Sequence, residues 1–468
     1  MGACAARLLL ALAASALTDA SPATLRVLHV TDAHLGADAE RGDLPLAGNA
    51  AMATDGLLHS AISAASQADL SIALWGGDTA PTRCEHCYPY EASDVAAVIG
   101  RAAAAFRKAL PDGLRVFPVL GNTDVPEQHA KPGGPYADTW ADSRADDALR
   151  AWLSDGARAS LTARGYYADV VDDVWTIVAL NTRACHVKNF ADFVPPRNGA
   201  EHGTGVPHLE EQVAWFRGVL GEARAAGRKV IVAGHVPPGI WGGCWGEFGD
   251  AYENTVADFQ DVVAAQLFGH QHSGSSRLLR AFAPTDDRTL PGARESSVAF
   301  VTPAISPERW HMPTFRIYHL RDASVDSFDQ YRLDLERPTN EHGGILWQLS
   351  YQAPLHLGLA SLAPREWKRV ADFAKTNATY RSLLMKLEAN GKEWFDGSKS
   401  AADYACGINH VGEPAYLKCT GKSQEVAVRD YAKRDHTYVL SAIFPFEAIM
   451  RHFCTSLPGL LEEDCDAP

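Results

Sequence analysis

The chain has 468 residues, 46% hydrophobic and 21% charged, with a formal net charge of −14 and a pI near 5.7. That length accommodates one large domain and a smaller one, with a sizeable core. The acidic balance excludes a surface built for nucleic acid or anionic membrane, which needs a basic patch.

The first residues read as a signal peptide over positions 1–20. Arg7 supplies the positive region, Leu8 to Leu17 the short apolar core, and Ala14-Ser15-Ala16 or Thr18-Asp19-Ala20 a small-residue cleavage site. The apolar run is too short to span a bilayer, and no later run is long and uncharged enough. A protein of the secretory pathway is expected, secreted or lysosomal/vacuolar, with no transmembrane segment.

Leu25 to Thr31 predicts a strand that delivers Asp32-Ala33-His34, and at a spacing of two these side chains share one side of an extended backbone. Met52 to Ser66 predicts a helix, capped by Thr54 or Asp55, with Leu57, Leu58 and Ile62 on one face. The apolar run Leu70 to Trp75 climbs to Gly76-Gly77-Asp78. A helix over Asp94 to Leu110 follows, then a strand over Arg115 to Leu120 ending at Gly121-Asn122. From Glu127 to Arg164 the chain is polar, which predicts a surface excursion with a helix around Asp146 to Leu153. Val174 to Leu180 is wholly apolar, as a strand buried on both faces would be. Leu209 to Ala226 is an amphipathic helix with Val213, Phe216, Val219 and Leu220 inward. Val230 to Ala233 then ends at Gly234-His235, and Ala264 to Phe268 at Gly269-His270-Gln271-His272. Strands over Val298 to Thr302, Thr314 to Leu320 and Val325 to Leu333 are expected to be antiparallel. Beyond about Leu335 the composition changes, with helices over Pro364 to Lys375 and Ser382 to Leu387. The expected organisation is a catalytic domain over 21–335 and a small, disulfide-stapled helical domain over 336–468, rather than more sheet.

Removing Cys4 with the signal peptide leaves Cys84, Cys87, Cys185, Cys244, Cys406, Cys419, Cys454 and Cys465. An even set in an oxidising compartment points to disulfides. Cys84-Glu85-His86-Cys87 lacks a second pair with zinc-finger spacing, so a local disulfide is expected there. Asn377-Ala378-Thr379 is a glycosylation acceptor.

One Gly-Asp dipeptide is ordinary turn chemistry. Asp-x-His, Gly-Asp, Gly-Asn, Gly-His and Gly-His-x-His in order, each after an apolar strand, are not. Carboxylate, imidazole and amide donors suit borderline divalent ions such as zinc, iron or manganese. Two such ions about 3.5–4 Å apart can clamp a phosphate and activate water for in-line attack. No Gly-rich phosphate loop and no Gly-x-Ser-x-Gly elbow is present, so nucleotide-fold and serine-hydrolase chemistry have no footing.

These motifs resemble those of the calcineurin-like metallophosphoesterases, and among them the acid sphingomyelinase branch. The likeness lies in Gly234-His235-Val236-Pro237-Pro238-Gly239, Tyr252-Glu253-Asn254, Gln266-Leu267-Phe268-Gly269-His270-Gln271-His272, Val301-Thr302-Pro303-Ala304-Ile305-Ser306-Pro307 and Tyr331-Arg332-Leu333-Asp334-Leu335. It extends from about Leu25 to the C-terminus. The branch's N-terminal saposin domain has no counterpart here, a layout closer to the acid sphingomyelinase-like phosphodiesterases. The resemblance implies a four-layer α/β/β/α sandwich and two divalent ions, usually zinc, with manganese or iron also compatible. It implies one ion held by Asp32, His34, Asp78 and His272, and the other by Asp78, Asn122, His235 and His270. Attack by metal-bound hydroxide would follow, with His34, Asn122 and Asp78 in the catalytic set and His34 or a nearby donor aiding the leaving group. It also implies disulfides Cys185–Cys244 and Cys406–Cys419, leaving Cys84–Cys87 and Cys454–Cys465.

After Gly121-Asn122 the family carries a histidine that protonates the leaving oxygen, whereas this chain has Thr123, then Asp124. A threonine hydroxyl is a poor general acid. Ceramide's alkoxide, a strongly basic leaving group, needs that proton far more than a phosphate or pyrophosphate does. Thr123 therefore directs expectation towards phosphoanhydrides such as nucleotides or polyphosphate, as in the endopolyphosphatases, which also lack a histidine there. Sphingomyelin hydrolysis proper and a metal-binding pseudoenzyme are the alternatives. His129, His202 or Asp124 could supply the proton, though ordinary surface roles are expected for them. Trp241 and Trp245 either line a substrate groove or pack within their loop. His86, His208, His311 and His410 lack ligand spacing and are expected at the surface. The partner is a small-molecule or lipid phosphoester, not a nucleic-acid duplex.

Overall fold

Short apolar strands separated by helices can bury both their faces only inside a parallel sheet with layers on each side. The computed structural model has this arrangement. It describes residues 24–36, 53–81, 91–126, 136–187, 207–281, 294–307, 311–321, 323–339, 344–388, 401–424 and 426–427. The expected signal peptide, Cys84, His86, Cys87, His129, His202, Cys454 and Cys465 lie outside these residues.

Strand β1 (Thr24–Val30) leads to α1 (Asp55–Ala65), β2 (Ile72–Trp75), α2 (Ala92–Ala109) and β3 (Arg115–Pro118). Next come α3 (Ser143–Trp152), α4 (Asp155–Arg164), β4 (Tyr167–Val170) and β5 (Trp175–Ala179). Then α5 (Pro207–Ala225), β6 (Lys229–Ala233), α6 (Gly246–Asp258) and β7 (Val263–Phe268) alternate. Strands β8 (Ser275–Ala281), β9 (Arg294–Val301), β10 (Thr314–Arg321), β11 (Ser324–Leu333) and β12 (Trp347–Ala353) follow. Helices α7 (Pro364–Thr376), α8 (Ala378–Glu388), α9 (Ala401–Asn409) and α10 (Glu413–Thr420) complete the described elements.

The strands form two six-stranded sheets, ordered β12-β11-β10-β1-β2-β3 and β4-β5-β6-β7-β9-β8. Within the first, β1, β2 and β3 are parallel, and within the second, β5, β6 and β7 are parallel. The sheets pack face to face: the Phe300 ring of β9 lies 5.9 Å from Tyr318 of β10 and 5.9 Å from Phe328 of β11. The period of two fixes the layers. Trp175, Ile177 and Ala179 of β5 join the inter-sheet core, while Val178 turns to Phe216 and Leu220 of α5 and Phe248, Tyr252 and Val256 of α6. On the far side of the first sheet lie Leu57, Leu58 and Ile62 of α1 with Ile99 and Phe106 of α2. The outcome is the expected four layers, helix on sheet on sheet on helix.

Local chemistry explains the element boundaries. Thr54 caps α1, its Oγ1 accepting from the Leu57 amide at 3.0 Å. Asp55 is thereby free to take a bidentate Arg101 guanidinium from α2, at 2.7 and 3.0 Å, and the same guanidinium donates to Gly36 O at 2.9 Å. That triangle ties both helices to the loop just after His34.

The structure departs from the sequence expectations at five places. The 136–164 stretch is no surface excursion: Trp140, Ala145, Leu149 and Trp152 are buried, and a second helix, α4, starts at a Ser154 cap and stops at Gly165 with φ 75°. Helix α6 was not anticipated, although Phe248, Tyr252 and Val256 mark its buried face. Strands β4 and β8 were also missed; β8 reads as polar because it carries two buried arginines, Arg277 and Arg280. Strand β9 is antiparallel to β8 but parallel to β7. Past Leu335 the chain adds β12 to the edge of β11 before turning helical, so this stretch does contain more sheet.

Between the sheets runs a polar chain. His29 Nδ1 lies 2.8 Å from Thr302 Oγ1, which is 2.9 Å from Tyr318 OH. Burial, aided by the Arg316 and His235 charges, pushes the His29 imidazole down to about 3. The unfolded chain takes up this proton near pH 6.5 while the folded protein does not, so stability is full above pH 6.5 and falls as pH drops towards 3. His29→Gln should flatten this loss by about 1.4 kcal/mol per pH unit in that window, measured by urea unfolding at a series of pH values.

Candidate metal centre

The strand ends that carry the candidate ligands converge. Asp32 and His34 follow β1, Asp78 follows β2 and Asn122 follows β3, while His235 follows β6 and His270 and His272 follow β7. All seven are buried. Ligand atoms of Asp32, His34 and His272 lie within 4.8 Å of one another, and so do those of Asp78, His235 and His270. Asp78 stands between the groups, its Oδ2 3.1 Å from His235 Nε2 and 3.7 Å from His34 Nε2. Asp32 Oδ1 lies 3.5 Å from His272 Nε2, and His34 Nε2 lies 3.0 Å from His272 Nε2.

The backbone at these positions is unusual. Among the described residues seven non-glycine positions have positive φ, and five of them are Asp32, His34, Asp78, His270 and His272. Such conformations persist only where the surroundings over-determine them. Here the loops are laced together: Asp32 N donates to Gly77 O at 2.9 Å, His34 N to Asp78 O at 3.0 Å, and Gly269 N to His235 O at 3.0 Å. Gly77 and Gly121 touch so closely that a Cβ on Gly77 would sit 2.7 Å from the Gly121 amide nitrogen, and Gly77 itself has φ 87°. No other residue permits both.

Supporting bonds fix which atoms face inward. His34 Nδ1 lies 3.0 Å from Ala80 O and His235 Nδ1 2.8 Å from Gly76 O. A carbonyl only accepts, so each Nδ1 carries the proton and each Nε2 faces the site. Asp32 Oδ2 accepts from Thr31 Oγ1 at 2.7 Å and from His270 N at 2.9 Å. Asp32 Oδ1 and Asn122 Oδ1, both buried, receive no hydrogen bond. Two acceptors without donors, inward lone pairs and two carboxylates make a donor set suited to divalent cations.

The charges push in the same direction. Burial raises the Asp32 carboxyl to about 6, with Asp78 adding to the rise against His235. For Asp78 the opposing histidines, His235 foremost, overcome burial and hold it well below the usual range. His235 rises to about 9 because Asp78 and Asp32 outweigh its burial. In the absence of a cation a proton on His235 balances the carboxylates, and a cation must displace it.

Thr123 and Asp124 serve the scaffold. The Thr123 amide donates to Asp78 Oδ1 at 2.8 Å and its hydroxyl to Ala80 O at 2.9 Å. Asp124 accepts from the Thr79, Ala80 and Gly121 amides at 2.7, 3.1 and 2.9 Å, bridging two ligand loops. It is fully buried and not the surface residue expected. One His34 ring nitrogen is hydrogen-bonded to Ala80 O and the other faces His272 and Asp32.

Two neighbours escaped the sequence reading. His186 is buried with its ring 5.0 Å from His270, and His311, expected at the surface, is buried 6.4 Å from His272. His186 closes a sixth strand end, after β5, which was the available signal. His410 is half-buried rather than exposed, while His208 is exposed. Trp241 and Trp245 are buried, in packing positions. The disulfides Cys185–Cys244 and Cys406–Cys419 are both formed.

Comparison with known proteins agrees with this arrangement. The profile of the calcineurin-like phosphoesterase family matches residues 25–274, and the chain belongs to that family. It is 24% identical over 359 residues to sphingomyelin phosphodiesterase A of Dictyostelium discoideum, covering 75% of this chain and 57% of that protein. It is 25% identical over 378 residues to human acid sphingomyelinase-like phosphodiesterase 3b, covering 74% and 75%. The chain therefore spans little more than half the length of the first relative. A dimetal phosphatase structure from Danio rerio is similar at 12% identity and a TM-score of 0.43, covering 66% of this chain and 95% of that one. Among the described residues no helix is long and apolar enough to cross a membrane.

Replacing the carboxylate between the two groups tests the centre directly. Asp78→Ala should reduce bound divalent metal from about two ions per chain to well under one, whereas Asp55→Ala, on the α1–α2 bridge, should leave the metal content unchanged. Elemental analysis of the purified proteins makes the measurement.

Proposed function

We propose that this chain is a two-metal hydrolase of the acid sphingomyelinase-like group, routed through the secretory pathway, that cleaves phosphodiester or phosphoanhydride bonds with weakly basic leaving groups. The two adjoining donor groups, with Asp78 standing between them, carry this reading. In it Asp32, His34, Asp78 and His272 hold one ion, and Asp78, Asn122, His235 and His270 the other. Zinc suits the four imidazoles best, and manganese or iron is compatible. When bound, the ions would supply an activated water and charge stabilisation for an in-line displacement.

The chain's own residues do the positioning. Thr31 and the His270 amide orient the Asp32 carboxylate, the Thr123 amide orients Asp78, and Ala80 O and Gly76 O set the tautomers of His34 and His235. Leaving-group chemistry distinguishes the substrates. Thr123 spends its hydroxyl on Ala80 O, and Asp124 is held by three amides, so neither delivers a proton. A phosphate or pyrophosphate leaves without that help, and a ceramide alkoxide does not. An endopolyphosphatase-like activity is favoured on this ground over sphingomyelin hydrolysis.

Turnover of bis-p-nitrophenyl phosphate, ATP, polyphosphate and sphingomyelin, each with added zinc or manganese, separates the readings. Polyphosphate or ATP should be the best substrate and a chelator should abolish activity. Metal retention with no turnover of any of the four would identify a pseudoenzyme. Thr123→His should raise sphingomyelin turnover on the order of 10²-fold with little change on polyphosphate, measured as initial rates on both.

A further inference from the structure

We propose that Asn377 carries an N-linked glycan whose first sugar lies over the exposed Phe373 ring and steadies the joint between α7 and α8. The inference lies outside the hydrolase chemistry and rests on the proposed function only in its routing through the secretory pathway.

Among the asparagines of the chain, Asn377 alone is followed two residues on by serine or threonine, the spacing a glycan acceptor needs. The fold puts it where a sugar has room. Helix α7 ends at Thr376 and α8 begins at Ala378, so Asn377 is the one residue between them. Lys375, Thr376, Ala378 and Thr379 around it are exposed, and Asn377 is half-buried. A bulky, water-seeking group belongs on such a convex joint.

Hydrogen bonds decide which end of the side chain faces out. Asn377 N donates to Phe373 O at 2.8 Å, closing α7, and Asn377 O accepts from Arg381 N at 3.0 Å. The side chain caps α8 by accepting from Tyr380 N at 2.9 Å. A backbone N–H only donates, so the capping atom is Oδ1 and the remaining end is Nδ2. No described residue takes a hydrogen bond from Nδ2. Glycosylation uses that atom alone. The bond from Nδ2 to sugar C1 forms, and the bond from C1 to the pyrophosphate of a lipid-linked oligosaccharide breaks. The lipid pyrophosphate leaves, and one Nδ2 proton passes to a base of the transferring enzyme. The product is still an amide, so Oδ1 keeps the α8 cap.

Phe373 gives the sugar something to rest on. It is 50% exposed, stands four residues before Asn377, one helical turn away, and its ring lies 4.9 Å from that of Tyr380, the residue whose amide Asn377 caps. Arg381 Nη1 donates back across the joint to Ala374 O at 2.7 Å, so the two helix ends hold one geometry. A pyranose ring presents a face of C–H groups. Laid on Phe373, that face withdraws apolar surface from water on both partners.

The test expresses the full chain in a eukaryotic secretory host and measures intact mass and Tm before and after treatment with peptide-N-glycosidase. Wild type should lose the mass of one glycan, and Asn377→Gln and Thr379→Ala should carry none. Thr379→Ala leaves the Asn377 cap in place, and the glycosidase turns Asn377 into an aspartate that caps equally well. Both should therefore melt below the glycosylated wild type by roughly 1–3 °C for want of the sugar alone. In Phe373→Ala, or in Phe373→Leu should the alanine variant not fold, the glycosylated and deglycosylated forms should melt together. A secreted chain with no glycan at Asn377 would overturn the proposal and leave the routing intact. An equal loss of Tm with and without the Phe373 ring would overturn the contact with that ring. A chain retained in the cytosol with its first residues uncleaved would overturn the secretory routing and this proposal with it.

Discussion

Two carboxylates buried against the same imidazoles are the constraint from which the rest of this structure follows. Asp32 and Asp78 are withdrawn from water, and the Asp78 charge adds to burial in raising the Asp32 carboxyl. Those two and three of the surrounding candidate ligands, His34, His270 and His272, also hold left-handed backbone, at about 1–3 kcal/mol each. That sum is on the order of the whole net stability of a domain, so it can stand only where many bonds agree on one geometry. The lacing of the loops, the glycine contact between Gly77 and Gly121 and the three amides on Asp124 are that agreement.

Much of this was legible in the residues. Wholly apolar runs such as Val174 to Leu180 can only be strands covered on both faces, and polar donors after such runs must gather at one end of a parallel sheet. The helices with a strong inward face, α1, α2 and α5, were equally plain. What escaped had weaker or contrary local signals. Helix α4 buries little more than Ala157 and Leu161; strand β8 carries buried arginines that meet residues distant in sequence, Arg277 the Trp241 ring and Arg280 Asn409. β12 is an edge strand with a half-exposed face. His311 has no ligand spacing, and only the packing of the loop after β9 brings it beside His272. Tertiary contacts, which no window of sequence contains, decided each of these.

The departure at Thr123 illustrates how a single position can be rededicated. Its amide steadies Asp78 and its hydroxyl joins His34 on the Ala80 carbonyl, so the residue has become part of the frame. Asp124 belongs to the same frame through its three amides. The C-terminal helices extend this principle outwards, because the chain past β12 folds back to press on both Trp241 and the turn after His272.

The donors are also unequally shared between the sheets. Both carboxylates, the amide and one imidazole come from loops of the sheet containing β1, β2 and β3, whereas loops of the other sheet contribute imidazoles alone. Formal negative charge therefore resides on one half of the sandwich, and the other half offers nitrogen donors alone. A cation held in that seam would find its charge compensation on the first half and most of its nitrogen donors on the second.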